Sequence, residues 1–188
     1  MKNALILHGT GGYPTENWFD WLKTELEKRD WKVWVPLLPG NDKPSTKRYN
    51  KFLLEENTWD FNEQSIIIGH SSGAVTILGL LQALPNDVKV DTCCLVGAFK
   101  DNTGWDALNG MFEIPFDFEK IKNHARKIVF IHADDDPYCP LDHAKYLAEK
   151  TGGELIIQPG QKHFSVGTYG EKYREFPFLL KLIEKSHE

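Results

Sequence analysis

The stretch Ser65-Ile66-Ile67-Ile68-Gly69-His70-Ser71-Ser72-Gly73-Ala74-Val75-Thr76-Ile77-Leu78-Gly79-Leu80-Leu81 decides the fold of this chain. It opens on an apolar, β-branched run that reads as a buried strand, and Ala74 to Leu81 reads as a largely buried helix. Between them, Gly69-His70-Ser71-Ser72-Gly73 is a G-x-S-x-G pentapeptide at a strand-to-helix junction. Such a junction demands a tight turn that lifts the serine hydroxyl above the end of a sheet. The flanking glycines let the backbone close where a Cβ would clash. The first amides of the following helix then face any negative charge that develops beside the serine. Ser71 is the candidate nucleophile.

A serine hydroxyl needs a base to take its proton, and the base needs a carboxylate to orient it. In a fold of this kind the chain order is serine, acid, histidine. Two later segments supply the partners. Lys127 to His132 reads as a strand running into Ala133-Asp134-Asp135-Asp136-Pro137-Tyr138-Cys139-Pro140. Glu154 to Gln158 reads as the next strand, followed by Pro159-Gly160-Gln161-Lys162-His163-Phe164. Catalytic groups gather at the carboxyl ends of strands in an open α/β sheet, so Ser71, an aspartate and His163 converge on one edge. Asp136, in a D-x-x-x-P turn opening a helix from Leu141, is the preferred acid, with Asp135 as the alternative. Asp134 sits close to the strand end and suits backbone hydrogen bonds of the loop. The competing reading of the three aspartates is a solvated turn or helix cap. His132 has no second ligand cluster at a recognised spacing, so no metal is expected.

The first strand, Asn3 to Leu7, ends in His8-Gly9-Thr10-Gly11-Gly12 at the same edge. This turn is suited to offering the Thr10 backbone N–H to an oxyanion, with the Ser72 N–H as the second donor. His8 is the runner-up active-site residue, but it precedes the loop and is expected instead to fix its geometry. Nucleotide binding is disfavoured. A phosphate loop needs Lys-Ser or Lys-Thr after its glycines, and a dinucleotide fingerprint fails at Tyr13-Pro14.

Strands and helices alternate along the whole chain without a repeat or linker, which indicates a single domain over residues 1–188. Six strands with five intervening segments and a closing helix from Glu171 to Glu184 indicate an α/β fold. Its architecture is a three-layer α/β/α arrangement around a doubly wound parallel sheet. Trp18, Trp21, Leu22 and Leu26 mark the buried face of a helix after the first strand. Hydrophobic residues make up 41% and charged ones 26%, ordinary for a globular protein. The net charge of −5 and the lack of a lysine-arginine cluster argue against nucleic acid. The apolar run Ala4 to Leu7 is too short for a signal peptide, and Ala74 to Leu84 too short to cross a bilayer. Three cysteines without metal spacing suit a reduced cytoplasm.

Phe99 to Phe118 is the segment expected to govern substrate choice, with Trp105, Leu108, Met111 and Phe112 lining an acyl pocket or a small lid. The opposing reading is that these side chains simply cover the sheet. His70 is expected to pack, and His124, His143 and His187 to lie on helix ends or the tail.

These motifs resemble the small serine hydrolase family of the α/β-hydrolase superfamily. The resemblance runs through His8-Gly9, Asn17 to Leu22, Pro36 to Pro44, Gly69 to Gly73, Asp135-Asp136 to Pro140 and His163-Phe164, covering nearly the whole chain. It implies a minimal α/β-hydrolase fold without a large cap domain, strand order 2-1-3-4-5-6, and activity on small esters. By motif, the family's serine, aspartate and histidine fall on Ser71, Asp136 and His163. Two positions depart from the pattern. Relatives often carry Gly-Gly before the histidine, where this chain has Gln161-Lys162, which implies a less closely packed loop. They often carry leucine after the nucleophile, where Ser72 would change the pocket wall.

The expected chemistry is hydrolysis of a small carboxylic ester through an acyl-enzyme, with no cofactor. The alternative is a non-catalytic protein-interaction module on a hydrolase scaffold, with a protein partner that the sequence does not specify.

Overall fold

The computed structural model describes residues 1–56 and 59–185. Its centre is one sheet built from β1 (Asn3–Leu7), β2 (Lys32–Trp34), β3 (Ser65–His70), β4 (Val90–Val96), β5 (Ala125–His132) and β6 (Glu154–Ile157). All pairings are parallel, and the strand order is β2-β1-β3-β4-β5-β6. This order brings the first strand to lie between the second and third, so the loops after β1 and β3 are neighbours.

The helices are α1 (Phe19–Glu27), α2 (Thr46–Leu54), α3 (Ser72–Leu81), α4 (Phe118–Asn123), α5 (Leu141–Thr151), α6 (Val166–Tyr169) and α7 (Pro177–Lys185). The period-2 alternation of each strand divides them into two layers. Leu5, Leu7, Ile67, Cys93, Leu95, Ile128 and Phe130 point into one core, with Tyr49 and Leu53 of α2, all of α3's apolar residues, Ile121 of α4 and Leu147 of α5. Ala4, Ile6, Ile66, Ile68, Cys94, Val96, Val129 and Ile131 point into the other, with Phe19, Leu22 and Leu26 of α1 and Leu179, Leu180 and Ile183 of α7. Because α3 lies against the sheet under further helices, its residues are all buried, and it shows no polar face.

Register aligns the carboxyl ends. Leu7 pairs with Gly69, His70 with Val96, and His132 with Ile157. The residues just beyond, His8, Ser71, Gly97 and Ala133, therefore leave the sheet along a single edge.

The closing helix differs from its expected span. A short 3-10 turn covers Glu171–Arg174, and α7 begins only at Pro177. Proline has no N–H to give and its fixed φ suits the first turn of a helix, while Glu175, two residues earlier, is still extended at φ −134 and ψ 156. The proline thus starts the helix rather than sitting inside it.

Candidate active site

Ser71 occupies the turn between β3 and α3 with φ 58 and ψ −124, a strained conformation for a residue with a side chain. Its N–H is held by the carbonyl of Val96 at 2.8 Å, and its carbonyl accepts from Ala74 N–H at 2.9 Å. The close approach explains the glycines around it. A Cβ on Gly69 would collide with the Gly73 carbonyl, and one on Gly73 with the Leu7 carbonyl. The helix start, the elbow and the end of β1 are pressed into direct backbone contact.

His163 sits in the loop after β6, buried to 5% exposure. Its Nδ1 donates to Asp136 Oδ2 at 2.7 Å, and the Asp136 side chain is fully buried. The second oxygen, Oδ1, accepts the N–H groups of Tyr138 at 2.9 Å and Cys139 at 3.0 Å. Burial works against the charge of Asp136. The hydrogen bond and charge of His163, with those two amides, outweigh it and hold the carboxyl below the ordinary aspartate range. The other two aspartates brace the same loop: Asp134 Oδ1 accepts from Gly160 N–H, and Asp135 takes both the N–H and the Nζ of Lys162.

The loop is held from within the molecule as well. Trp18 Nε1 donates to the Phe164 carbonyl at 3.1 Å, and Val166 N–H donates to Asn17 Oδ1 at 2.9 Å. His70 Nε2 donates to the His163 carbonyl at 2.7 Å, and the two imidazole rings lie 4.7 Å apart. Burial, reinforced by the charge of His163, pushes the His70 pKa down to about 3, so the ring stays neutral beside its neighbour. The departure at Gln161-Lys162 is absorbed locally. Lys162 and Phe164 adopt φ 54 and φ 52, and Gln161 Oε1 accepts from Tyr173 and Lys172. Phe164 is fully buried, so the loop is closely packed without the two glycines.

The loop after β1 lies across from the elbow. His8 Nδ1 donates to the Gly9 carbonyl at 2.8 Å, and its Nε2 accepts from Leu38 N–H at 3.0 Å. Asn41 adds two bonds, taking Gly11 N–H on its carbonyl at 2.8 Å and giving its Nδ2 to Gly12 O at 2.6 Å. The Thr10 hydroxyl donates to the Ser72 hydroxyl at 2.8 Å. Ser72 therefore faces the loop rather than the pocket, and is almost completely buried.

Ser71 and His163 border one cavity of about 580 Å³, whose wall also includes Gly9, Thr10, Glu16, Phe99, Trp105 and Tyr138. Of the side chains expected from the segment after β4, Trp105 and Leu108 line it. Met111 and Phe112 do not: they pack over the helical layer, with the Met111 carbonyl accepting from Thr46 Oγ1 on α2 and Phe112 against Phe99 and Phe116. The 3-10 turn Asp106–Met111 leads the chain away from the cavity, which is why one segment serves both purposes. Gly97 was not singled out in sequence. It stands at φ 65 beyond β4, and a Cβ there would lie 3.2 Å from His163 Cε1 and 3.6 Å from Asp136 Oδ2. A glycine closing a strand at the sheet edge that carries Ser71 was the available signal.

His132 Nε2 donates to the Cys139 carbonyl at 2.8 Å and makes no cluster with the aspartates among the described residues. Potential metal-ligand atoms of Asp136, Cys139 and His163 do lie within 4.8 Å of one another. The acid and the imidazole are already bonded to each other, and burial raises the Cys139 thiol well above its ordinary pKa. His124 ends α4, His143 lies in the first turn of α5, and His187 lies outside the described residues. No helix among the described residues is long and apolar enough to cross a membrane.

Comparison with known proteins agrees with this fold. The chain is 28% identical to the serine hydrolase RBBP9 of Rattus norvegicus over 186 residues, 94% of this chain and 95% of that protein. It is 27% identical over 165 residues to YdeN of Bacillus subtilis (strain 168), covering 87% of this chain and 86% of that protein. The crystal structure of the ydeN gene product from B. subtilis matches with a TM-score of 0.90 at 24% identity, over 100% of this chain and 99% of that one. A model of the serine hydrolase family matches residues 4–184, from the first strand to the last helix. The elbow and the strand order thus sit inside a match that spans almost every described residue, and the chain belongs to the serine hydrolase family.

Proposed function

We propose that this serine hydrolase cleaves small carboxylic esters through an acyl-enzyme on Ser71, with His163 as the base and Asp136 as its orienting acid. The observation that carries this reading is the 2.7 Å bond from His163 Nδ1 to the buried Asp136, on a ring that borders the same cavity as Ser71. That bond commits the Nδ1 proton to the acid and leaves Nε2 as the basic edge.

Nε2 takes the Ser71 proton as Oγ bonds to the ester carbonyl carbon. The N–H groups of Thr10 and Ser72 meet the oxyanion. Collapse breaks the carbon–oxygen bond of the ester, and the leaving alkoxide receives the proton from His163. Water then gives a proton to Nε2 while attacking the acyl group, and Ser71 recovers its hydrogen as the carboxylic acid departs. The cavity volume suits a compact ester, with Trp105 and Leu108 against its apolar part. The three cysteines are free and buried, which supports a reducing, cytoplasmic setting.

The test is fluorophosphonate labelling of wild type, Ser71→Ala and His163→Ala, with turnover of p-nitrophenyl acetate and butyrate. Labelling should vanish in Ser71→Ala and turnover in both variants. A folded wild type that neither labels nor turns over would instead mark the scaffold as an interaction module.

A further inference from the structure

The cavity beside Ser71 carries one feature that ester hydrolysis in general does not require. Glu16, in the turn before α1, borders it half-buried, and its backbone is held by the Tyr13 carbonyl at 3.1 Å and the Phe19 N–H at 3.2 Å. The carboxylate lies against the oxyanion-side loop: a methyl built on Gly12 would stand 3.0 Å from Glu16 Oε2. Two acids near this edge have lysine partners, Asp101 with Lys100 at 2.6 Å and Asp135 with Lys162 at 2.8 Å. Among the described residues Glu16 has no ion pair or side-chain hydrogen bond, and no lysine or arginine lines the cavity.

A carboxylate placed there repels the negative charge that builds on the carbonyl oxygen during attack. Repulsion between like charges in a partly desolvated cleft slows the reaction of any substrate that brings no compensation. A positive group on the substrate, seated between the two, converts that cost into attraction. Two aromatic side chains in the cavity wall suit such a group. Trp105 is 53% exposed and Tyr138 61% exposed, and Tyr138 stands edge-on to the His163 ring at 5.1 Å. Exposed aromatic faces attract alkylammonium groups.

We propose that Glu16 makes this site selective for esters that carry a protonated amine or quaternary ammonium, with Trp105 and Tyr138 flanking the cation. The proposal rests on the hydrolase reading above. It deepens that reading by naming the charge of the substrate.

Two isosteric pairs test it at pH 7. Acetylcholine differs from 3,3-dimethylbutyl acetate only by nitrogen for carbon on the alcohol side. Ethyl alaninate differs from ethyl isobutyrate by ammonium for methyl on the acyl side. Wild type should prefer the cationic member of at least one pair by about tenfold in kcat/KM, and added salt should erode that preference. Glu16→Gln should lower kcat/KM for the cationic ester by about threefold and raise it for the neutral isostere by about threefold, which abolishes the preference. Glu16→Lys should invert the preference. A structural role for Glu16 would move both members of a pair together, so this crossover separates the two. Equal rates within both pairs in wild type, or a preference that survives Glu16→Gln, would overturn the assignment of Glu16 alone. Failure of wild type to hydrolyse any of the four esters, with no fluorophosphonate labelling, would overturn the hydrolase reading itself.

Discussion

The Thr10 hydroxyl donates to the Ser72 hydroxyl across 2.8 Å, joining the two loops whose amides the mechanism assigns to the oxyanion. The Ser72 carbonyl is tied in turn by Thr76 Oγ1 at 2.8 Å, so the elbow is held on both sides. A hydrogen bond of this kind is worth about 1 kcal/mol, and losing it loosens the donors without touching the substrate. Ser72→Ala and Thr10→Val should each lower kcat about fivefold with KM unchanged. The double variant should be no slower than either single one, because both remove the same bond. Thr10→Ser, which keeps the hydroxyl, should restore the rate. Steady-state kinetics of the four proteins checks this, and multiplicative losses would refute the clasp. From sequence alone the hydroxyl of Ser72 read as part of the pocket wall, because nothing local shows that a side chain 62 positions away in the chain meets it.

Between elements, the tightest constraint is the approach of α3 to β1. A Cβ on Gly73 would meet backbone carbonyls of Leu7 and His8, which no rotamer change can relieve. Gly73→Ala should destabilise the fold by about 3 kcal/mol, read as a lower urea midpoint with unchanged slope. Gly152, the left-handed cap of α5 at φ 65, has open space around it, so Gly152→Ala should cost only about 1 kcal/mol. The elements themselves were legible because their signals are local. β-branched runs announced the strands, and α5 began at Leu141 as expected. The segment after β4 was not legible in detail. Its aromatic residues satisfy a cavity and a core equally well by composition, and only the course of the 3-10 turn divides them.

At the scale of the whole molecule, burial couples the candidate site to stability. His70 is held neutral inside the fold with a pKa of about 3, whereas a free imidazole titrates near ~6.5. Its ring is enclosed by Trp18 and Phe19, with His163 and Asp136 as the titratable groups beside it. Below the free value the unfolded chain takes up a proton that the folded chain refuses. Stability contributed by the neutral ring is therefore full above about pH 6.5 and falls as the pH drops towards 3. His8, His132 and His143 are lowered in the same direction by burial and add to the slope. His70→Gln retains a donor for the His163 carbonyl but has no proton to take up. Urea titrations between pH 5 and 6.5 should show its stability falling less steeply than wild type, by about 1 kcal/mol per pH unit. An unchanged slope would mean that His70 is not held neutral.

What the sequence determined by itself was everything encoded over a few neighbouring residues: the alternating strands and helices, the parallel sheet they imply, the serine elbow, and the order serine, aspartate, histidine. Hydrophobic period and glycine spacing are local physics, readable without coordinates. What only the tertiary structure decided was which groups meet. Asp134, Asp135 and Asp136 are chemically alike and consecutive, yet Asp136 alone reaches the His163 ring, while its neighbours brace the backbone of the loop. Met111 leaves the cavity that Leu108 lines, and Glu16, unremarkable in sequence, comes to rest beside the loop after β1. Hydrogen bonds and charge interactions act over a few ångströms, and chain folding, not spacing along the sequence, brings those partners within range.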